Sequence, residues 1–168
     1  MNKRIICAVY WNSQSDRPYY SLIAFNGNSW EELISFSQSF GLMPFVADTI
    51  NPWNIWGGGL GDYLYLFQKG IQGYESEQIP LKMNDSGIRS IAIDYNNCIW
   101  ITTLNNIYSY DRTNLTRYSS DVTGSIGRVW NLIIDRNNVK WIASDGALIR
   151  YDGEIWDTFP FQPQNEQD

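Results

Sequence analysis

The stretch IDYNNCIWI at residues 93–101 returns as IDRNNVKWI at residues 134–142, 41 positions further along the chain. The spacing holds beyond this stretch, because the Tyr-Asp pair at 110–111 matches the Tyr-Asp pair at 151–152. A fixed period of this size indicates a protein built from repeated structural units, a property that decides how the rest of the chain is interpreted.

The same period reaches back toward the start of the chain. Aromatic residues that mark equivalent positions fall at Phe25, Phe67, Tyr110 and Tyr151, in steps of 42, 43 and 41 residues. We therefore predict one domain over residues 1–160 with four units, at about 4–38, 39–84, 85–125 and 126–160, followed by a polar tail over 161–168.

Each full unit reads as four short strands, because β-branched and aromatic residues alternate with turns rich in Asn, Asp and Gly. In the third unit the predicted strands are Ile88–Asp94, Cys98–Thr103, Ile107–Asp111 and Leu115–Ser119. Asn97 and Asn138 occupy the tight turn after the first strand, where Asn tolerates a left-handed backbone. Four-stranded units of about 40–45 residues are typical of propeller blades. The predicted fold is an all-β propeller with four antiparallel blades in the chain.

The first unit is shorter than the others. Its segments Ile5–Tyr10, Tyr20–Phe25 and Trp30–Phe36 align with the second, third and fourth strands of a blade. Either the innermost strand is missing, or Ile5–Tyr10 takes that place with altered spacing. Two forms of closure stay open at this point: a ring of four blades, or a homodimer whose two copies complete an eight-bladed ring.

The composition excludes several classes of function. The 168 residues include 12 Lys and Arg, 18 Asp and Glu and no His, which gives a net charge of −6. An acidic chain repels phosphate backbones and anionic lipid surfaces, which argues against binding to nucleic acid or membranes. The absence of His removes the commonest general base and metal ligand, and with them the catalytic triads. We expect no metal, no cofactor and no catalytic residue.

The start of the chain does not resemble a secretion signal, because its apolar run is cut short at Trp11. No stretch approaches the roughly 18 apolar residues of a membrane span. The two cysteines, Cys7 and Cys98, do not form a disulfide framework. These features predict a cytoplasmic location.

Most of the repeated residues are best interpreted as scaffold. The repeated indoles are predicted to pack blade against blade or on outer strands, at Trp56, Trp100, Trp141, Trp30 and Trp156. Asp94 and Asp135 are predicted to accept hydrogen bonds from backbone N–H groups in their turns. The glycine-rich stretch at residues 57–61 lacks the Lys and Ser or Thr of a phosphate loop, so we interpret it as a strand and turn with close backbone approach.

The pattern Ile-x-x-Asp-x-x-Asn/Gly-x-x-Trp-Ile, followed by Leu-x-x-Tyr-Asp, resembles the two-component-regulator propeller repeat. Residues 90–111 and 132–152 match it most fully, and residues 54–58 match it in part. The resemblance implies a propeller with a sensory or binding role. Members of that family carry long arrays of blades with a membrane span and a kinase. These 168 residues contain neither a membrane span nor a kinase motif. The signalling role and the functional residues are therefore not carried over.

Propellers usually bind on the face formed by the loops between second and third strands and by the links between blades. The longest irregular loop there is predicted at Trp11–Pro18, which makes Trp11 the first candidate contact. The predicted ligand-binding residues are Trp11, Asp62, Arg89, Asn105, Arg128 and Asp145.

Three functions are compatible with these residues. The first is a non-enzymatic binding module for a protein partner, with a basic partner favoured by the acidity of the chain. The second is a carbohydrate-binding propeller that stacks sugars on exposed aromatic rings. The third is a hydrolase that uses carboxylates in the central channel.

Overall fold

A computed structural model describes residues 7–12, 19–25, 27–36, 44–59, 61–118, 124 and 127–161. Within these ranges the chain forms strands and turns only, so none of their segments is a helix that could cross a membrane. The strands are β1 Cys7–Asn12, β2 Tyr19–Phe25, β3 Trp30–Phe36, β4 Phe45–Ala47, β5 Ile55–Gly58, β6 Tyr63–Lys69, β7 Tyr74–Pro80, β8 Ser90–Ile93, β9 Ile99–Thr102, β10 Ile107–Tyr110, β11 Leu115–Tyr118, β12 Val129–Ile134, β13 Lys140–Ser144, β14 Ala147–Tyr151 and β15 Trp156–Pro160.

The strands form four antiparallel sheets, each a simple meander of consecutive strands. Blade 1 contains β1–β3, and blades 2, 3 and 4 contain β4–β7, β8–β11 and β12–β15. The predicted all-β fold of four blades is confirmed, and three of the sheets have four strands. In the part of blade 1 that the structure describes there are three strands, and β1 pairs with β2 as a second strand would.

Neighbouring blades bury apolar side chains against each other at three boundaries. Leu22 and Phe67 share the core between blades 1 and 2, while Trp56 and Ile101 share the core between blades 2 and 3. Trp100 lies in the core between blades 3 and 4. Because strand side chains alternate between the two faces of a sheet, each central blade contributes to two of these cores. Trp56 and Trp100 are each only 3% exposed, which confirms that they pack between blades.

Asp94 and Asp135 organise equivalent turns in blades 3 and 4. One oxygen of Asp94 accepts the backbone N–H groups of residues 96 and 98, and the other accepts Trp100 Nε1 at 3.0 Å. Asp135 accepts backbone N–H groups at residues 137 and 139 and Trp141 Nε1 at 3.1 Å. The predicted role as turn acceptors is confirmed, and the bond to the indole adds to it. Asn97 and Asn138 have the predicted left-handed backbone, with φ of 62° and 64°.

At two boundaries a cation from the next blade contacts the turn Asp and its indole, at Asp94 and at the equivalent Asp48. Lys140 Nζ lies 3.0 Å from Asp94 Oδ2 and 5.1 Å from the centre of the Trp100 ring. At the preceding boundary, Arg112 lies 2.9 Å from Asp48 Oδ2 and 5.3 Å from the ring centre of Trp56. Trp56 Nε1 in turn donates to Asp48 at 2.7 Å. We call each group an Asp–Trp–cation lock, because one carboxylate, one indole and one cation join two blades.

The glycine-rich stretch is confirmed as strand backbone in close contact with its neighbours. Gly57 and Gly58 both lie in β5, where a Cβ on Gly57 would meet Phe45 at 2.8 Å. A Cβ on Gly58 would overlap the side chain of Ile88.

The prediction that Trp30 packs on an outer strand is wrong in part, because its ring contacts Phe25, with ring centres 5.3 Å apart, but is 52% exposed.

The buried lock at Asp94 can be tested by removing its charge. Asp94→Asn keeps an oxygen for the backbone amides but leaves Lys140, 2% exposed, without its counter-charge. We expect a loss of about 3–5 kcal/mol in the free energy of unfolding, measured in urea. Asp111→Asn is the matched control, because Asp111 accepts two backbone amides and forms no ion pair with the described residues. Its loss should be clearly smaller than that of Asp94→Asn, because Asp111 has no buried counter-charge to leave behind, and equal losses would contradict the lock.

The lock at Asp48 predicts a dependence on acid pH. Burial alone raises the pKa of Asp48, but hydrogen bonds from Arg112, Trp56 and two backbone amides outweigh it and hold the pKa at about 2. A carboxyl whose pKa is lowered in the native state stabilises the fold above its unfolded pKa of 3.8. That contribution is lost as the pH falls toward 2.

We therefore expect the unfolding free energy of the wild type to fall by roughly 2 kcal/mol more than that of Asp48→Asn between about pH 5 and pH 2. Urea unfolding at each pH measures both. Parallel curves for the two proteins would show that Asp48 is not held charged.

Candidate functional site

Five of the six predicted ligand-binding residues lie along one edge of the sheets, which we call the loop edge. This edge carries the turns after β5, β9 and β13 and the segments that enter β8 and β12. Those five residues are Asp62, Arg89, Asn105, Arg128 and Asp145. Trp11 was predicted in a loop, but it lies within β1 with its backbone paired to Tyr20. Residues 13–18 of that predicted loop lie outside the described residues.

Three side chains meet on the loop edge where blades 3 and 4 join. The guanidinium of Arg89 lies 5.0 Å from the centre of the Trp130 ring, a cation–π distance. Trp130 Nε1 donates a hydrogen bond to Asp145 Oδ1. The backbone N–H of Asp145 donates to the carbonyl of Arg128 at 2.9 Å. The structure thus brings Arg89 and Asp145 onto an indole that is 45% exposed, while Arg128 joins them through its backbone carbonyl. We call this group the Trp130 cluster.

Two contacts hold the indole of Trp130 in place, one on a face of the ring and one at its N–H group. The charge of Arg89 lies against one face of the ring, and the Asp145 carboxylate fixes its N–H. Asp145 is itself packed against Gly127, whose φ is 69° and where a Cβ would lie 3.1 Å from the Cβ of Asp145. A ring that is both exposed and fixed loses little conformational freedom when it contacts a ligand.

A second feature of the loop edge is a shallow cavity of about 360 Å³ between blade 2 and the segment that links it to blade 3. Its lining residues are Gly61, Asp62, Tyr63, Pro80, Lys82, Asn84 and Asp85. The Asp62 carboxylate shapes it by accepting the backbone N–H groups of Asn84 at 2.8 Å and Asp85 at 3.2 Å. Lys82 and Asn84 have φ of 54° and 53°, so this wall is held in a conformation that few residues adopt.

Asp85 ties this wall to blade 3. Its carboxylate accepts hydrogen bonds from Thr103 Oγ1 and Asn106 Nδ2, both at 2.5 Å, and from the Tyr108 hydroxyl at 3.3 Å. Burial raises the pKa of Asp85, and these bonds outweigh the effect and lower it. Burial, and then the Asp85 charge, raise the pKa of Tyr108 to about 12. Asp85 is therefore a charged structural acceptor whose oxygens are already occupied, a poor arrangement for a general acid or base.

The loop edge carries no metal site that the described residues could form, because no three of their Cys, Asp and Glu side chains cluster in a suitable way. Asn105 is exposed in the turn between β9 and β10. It has no side-chain bond to the Trp130 cluster within the described part of the chain.

The sequence interpretation missed Trp130, the centre of the cluster. Trp130 stands 41 positions after Arg89, so the two occupy the same place in successive blades and touch across the boundary. Stepping one period from Arg89 would have identified it. The cavity was also missed in part, because Tyr63 and Lys82 follow no repeated pattern.

Comparison with solved structures places the chain among β-propellers. A streptogramin B lyase is 15% identical with a TM-score of 0.69, over 96% of this chain and 60% of that chain. A virginiamycin B lyase from Staphylococcus aureus, an H270A variant that is catalytically inactive and was solved with quinupristin, is 13% identical with a TM-score of 0.69. It matches over 96% of this chain and 61% of its own.

The extracellular domain of a hybrid two-component system protein from B. thetaiotaomicron is 14% identical with a TM-score of 0.65, over 99% of this chain and 23% of that chain. At these identities the likeness shows the fold, and this chain spans about three fifths or less of each neighbour. No family model and no curated protein sequence matches the chain. Because one neighbour is an extracellular domain, the cytoplasmic location stays a prediction.

The role of Asp62 in shaping the cavity can be tested by hydrogen exchange. Asp62→Ala removes the acceptor for the backbone N–H groups of Asn84 and Asp85. We expect these two amides to exchange at least about tenfold faster, because a hydrogen bond to a charged group contributes about 1.5–3 kcal/mol. The amides of Thr113 and Asn114, which Asp111 accepts in another turn, are the internal control. Unchanged protection at residues 84 and 85 would show that the wall is held by other contacts.

Proposed function

We propose that this protein is a non-enzymatic binding module that recognises a protein partner on its loop edge, with the Trp130 cluster as the central contact. The observation that carries the proposal is the exposed indole of Trp130, fixed between Arg89 and Asp145. Trp and Arg are enriched among the residues that dominate the energy of protein interfaces, and such residues cluster near the centre of the contact.

The surroundings of the cluster suit a protein ligand. The cavity lined by Asp62 and Lys82 lies on the same edge as Trp130. Its polar residues can form part of the polar rim that usually surrounds the centre of a protein interface. The net charge of −6 favours a partner segment with basic side chains, because opposite charges steer association.

Enzymatic functions are less well supported by the residues at this edge. The inactive H270A lyase shows that its enzyme depends on a His, and this chain contains no His. A hydrolase would need a pair of carboxylates free to act across a substrate. Asp85 and Asp145 instead accept hydrogen bonds from their own scaffold.

A carbohydrate ligand is the second candidate, and one observation favours it. The face of an indole beside a carboxylate can stack on the apolar face of a sugar while the carboxylate binds hydroxyl groups. Trp130 and Asp145 have this arrangement.

The test uses two libraries and two matched variants. The protein is screened against a displayed peptide library and a glycan array, and each hit is titrated by calorimetry against wild type, Trp130→Ala and Trp53→Ala. Trp53 is the control because it is 42% exposed and has Lys69 at 4.6 Å from its ring centre, but lies in the turn between β4 and β5 at the opposite edge.

We expect basic peptides whose affinity falls at least about tenfold in Trp130→Ala and is unchanged in Trp53→Ala, as for a central interface residue. Glycan hits with the same dependence on Trp130 would replace the protein partner by a sugar. Hits that bind both variants as tightly as wild type would overturn the proposed site.

A further inference from the structure

Blade 4 has one face that no described blade covers. Its strands alternate, so that Leu132, Ile142 and Ile149 are buried against blade 3 while the opposite face is open. On the open face Ile133 is 59% exposed and Phe159 is 49% exposed. Ile133 and Phe159 lie on the face of blade 4 that is turned away from blade 3, because strand side chains alternate between the two sides of a sheet.

The open face carries a Trp at the same place as the face by which blade 3 holds blade 4, beside an ion pair between Arg150 and Asp157. Trp141 stands one period after Trp100 and makes the same bond to its turn Asp, yet Trp141 is partly exposed whereas Trp100 is buried. Trp100 is covered because the rings of Tyr151 and Trp156 in blade 4 lie 5.5 Å and 6.4 Å from it. Trp141 therefore presents half of a boundary between blades.

The Asp of blade 4 also indicates an incomplete boundary, because no cation pairs with it among the described residues. Asp48 and Asp94 each receive a cation from the next blade, Arg112 or Lys140. Asp135 occupies the equivalent position in blade 4 and forms no ion pair with any residue in the described ranges. Two members of an Asp–Trp–cation lock, Asp135 and Trp141, are thus in place at this face.

The other half of the boundary lies on blade 1. Tyr151 and Trp156 end β14 and begin β15 as a directly paired couple, with ring centres 4.2 Å apart. Phe25 and Trp30 are the same couple in blade 1, paired at the end of β2 and the start of β3, with ring centres 5.3 Å apart. In blade 4 that couple packs on the Trp of the preceding blade, but in blade 1 Trp30 is 52% exposed.

We infer that a second copy of this chain docks on the open face of blade 4, with Trp141 of each copy seated on the Phe25–Trp30 couple of the other. Two such contacts are related by a two-fold axis, so the dimer closes on itself with eight blades. The four blades superpose on about three fifths of a lyase chain of the same fold, so by themselves they do not complete a ring of that curvature. A second copy closes the arc into a wider ring and buries apolar surface that would otherwise remain in water. The inference does not depend on the proposed ligand.

The test is the mass in solution, by light scattering during size exclusion without any ligand. One chain is 19.5 kDa, and we expect the wild type to elute at twice this mass. Trp141→Arg and Trp30→Arg each place a charge in both boundaries and should elute as single chains. Trp53→Arg, at an exposed indole away from these faces, should remain a dimer. Circular dichroism confirms that each variant is folded.

An equimolar mixture of Trp141→Arg and Trp30→Arg separates this arrangement from other dimers. In a mixed pair both substitutions fall in one boundary and the second boundary is intact, so the mean mass should rise above that of either variant alone. A wild type that elutes as a single chain at about 100 µM would overturn the inference, and would indicate that the chain covers the face itself. A dimer that survives both Trp141→Arg and Trp30→Arg would overturn the proposed contact.

Discussion

The carboxylate shared between blades 2 and 3, and its equivalent between blades 3 and 4, is the interaction on which the rest of the fold depends. Asp94 closes its own turn, holds the indole of Trp100 and receives Lys140 from the next blade. Local turn geometry and the contact between blades are therefore fixed by one side chain. The ion pair is buried, so its charges stabilise the protein only while every partner is in place. This links the folding of one blade to the arrival of its neighbour, as expected for repeats that cannot bury their faces alone.

The locks also separate the scaffold from the candidate site. They lie at the edge where first and second strands meet, while the Trp130 cluster and the cavity lie at the opposite edge. Variation on the loop edge can therefore change a ligand without disturbing the contacts that join the blades, a division of labour common in loop-bearing scaffolds. Asp85 is the exception, because it belongs to the loop edge and also binds Tyr108 inside blade 3.

The period of 41 residues made much of the scaffold predictable, because similar contacts recur at the boundary between blades 2 and 3 and at that between blades 3 and 4. The left-handed turn at Asn97 and the packing of Trp100 followed directly from it. The period did not predict the two cations of the locks. Arg112 lies in the turn before β11 and Lys140 begins β13, so no single repeat position describes both. The length of β1, which includes Trp11, depends on pairing with β2 and cannot be read from one strand alone. The cluster itself arises from unlike residues, Arg89 and Trp130, at one repeat position.

The use of a different cation at each lock has a consequence for how such a protein could change by gene duplication. If every boundary were identical, the blades could join in any order, and a copied or deleted unit would leave the remaining joints equally satisfied. Here blade 3 contacts the preceding blade through Arg112, in the turn between its third and fourth strands. Blade 4 contacts the preceding blade through Lys140, in its second strand. Each joint therefore specifies its own neighbour. A rearranged gene would bring the lysine of blade 4 to Asp48, where an arginine from a different position in its blade now lies, so the order of the blades is part of what the sequence encodes.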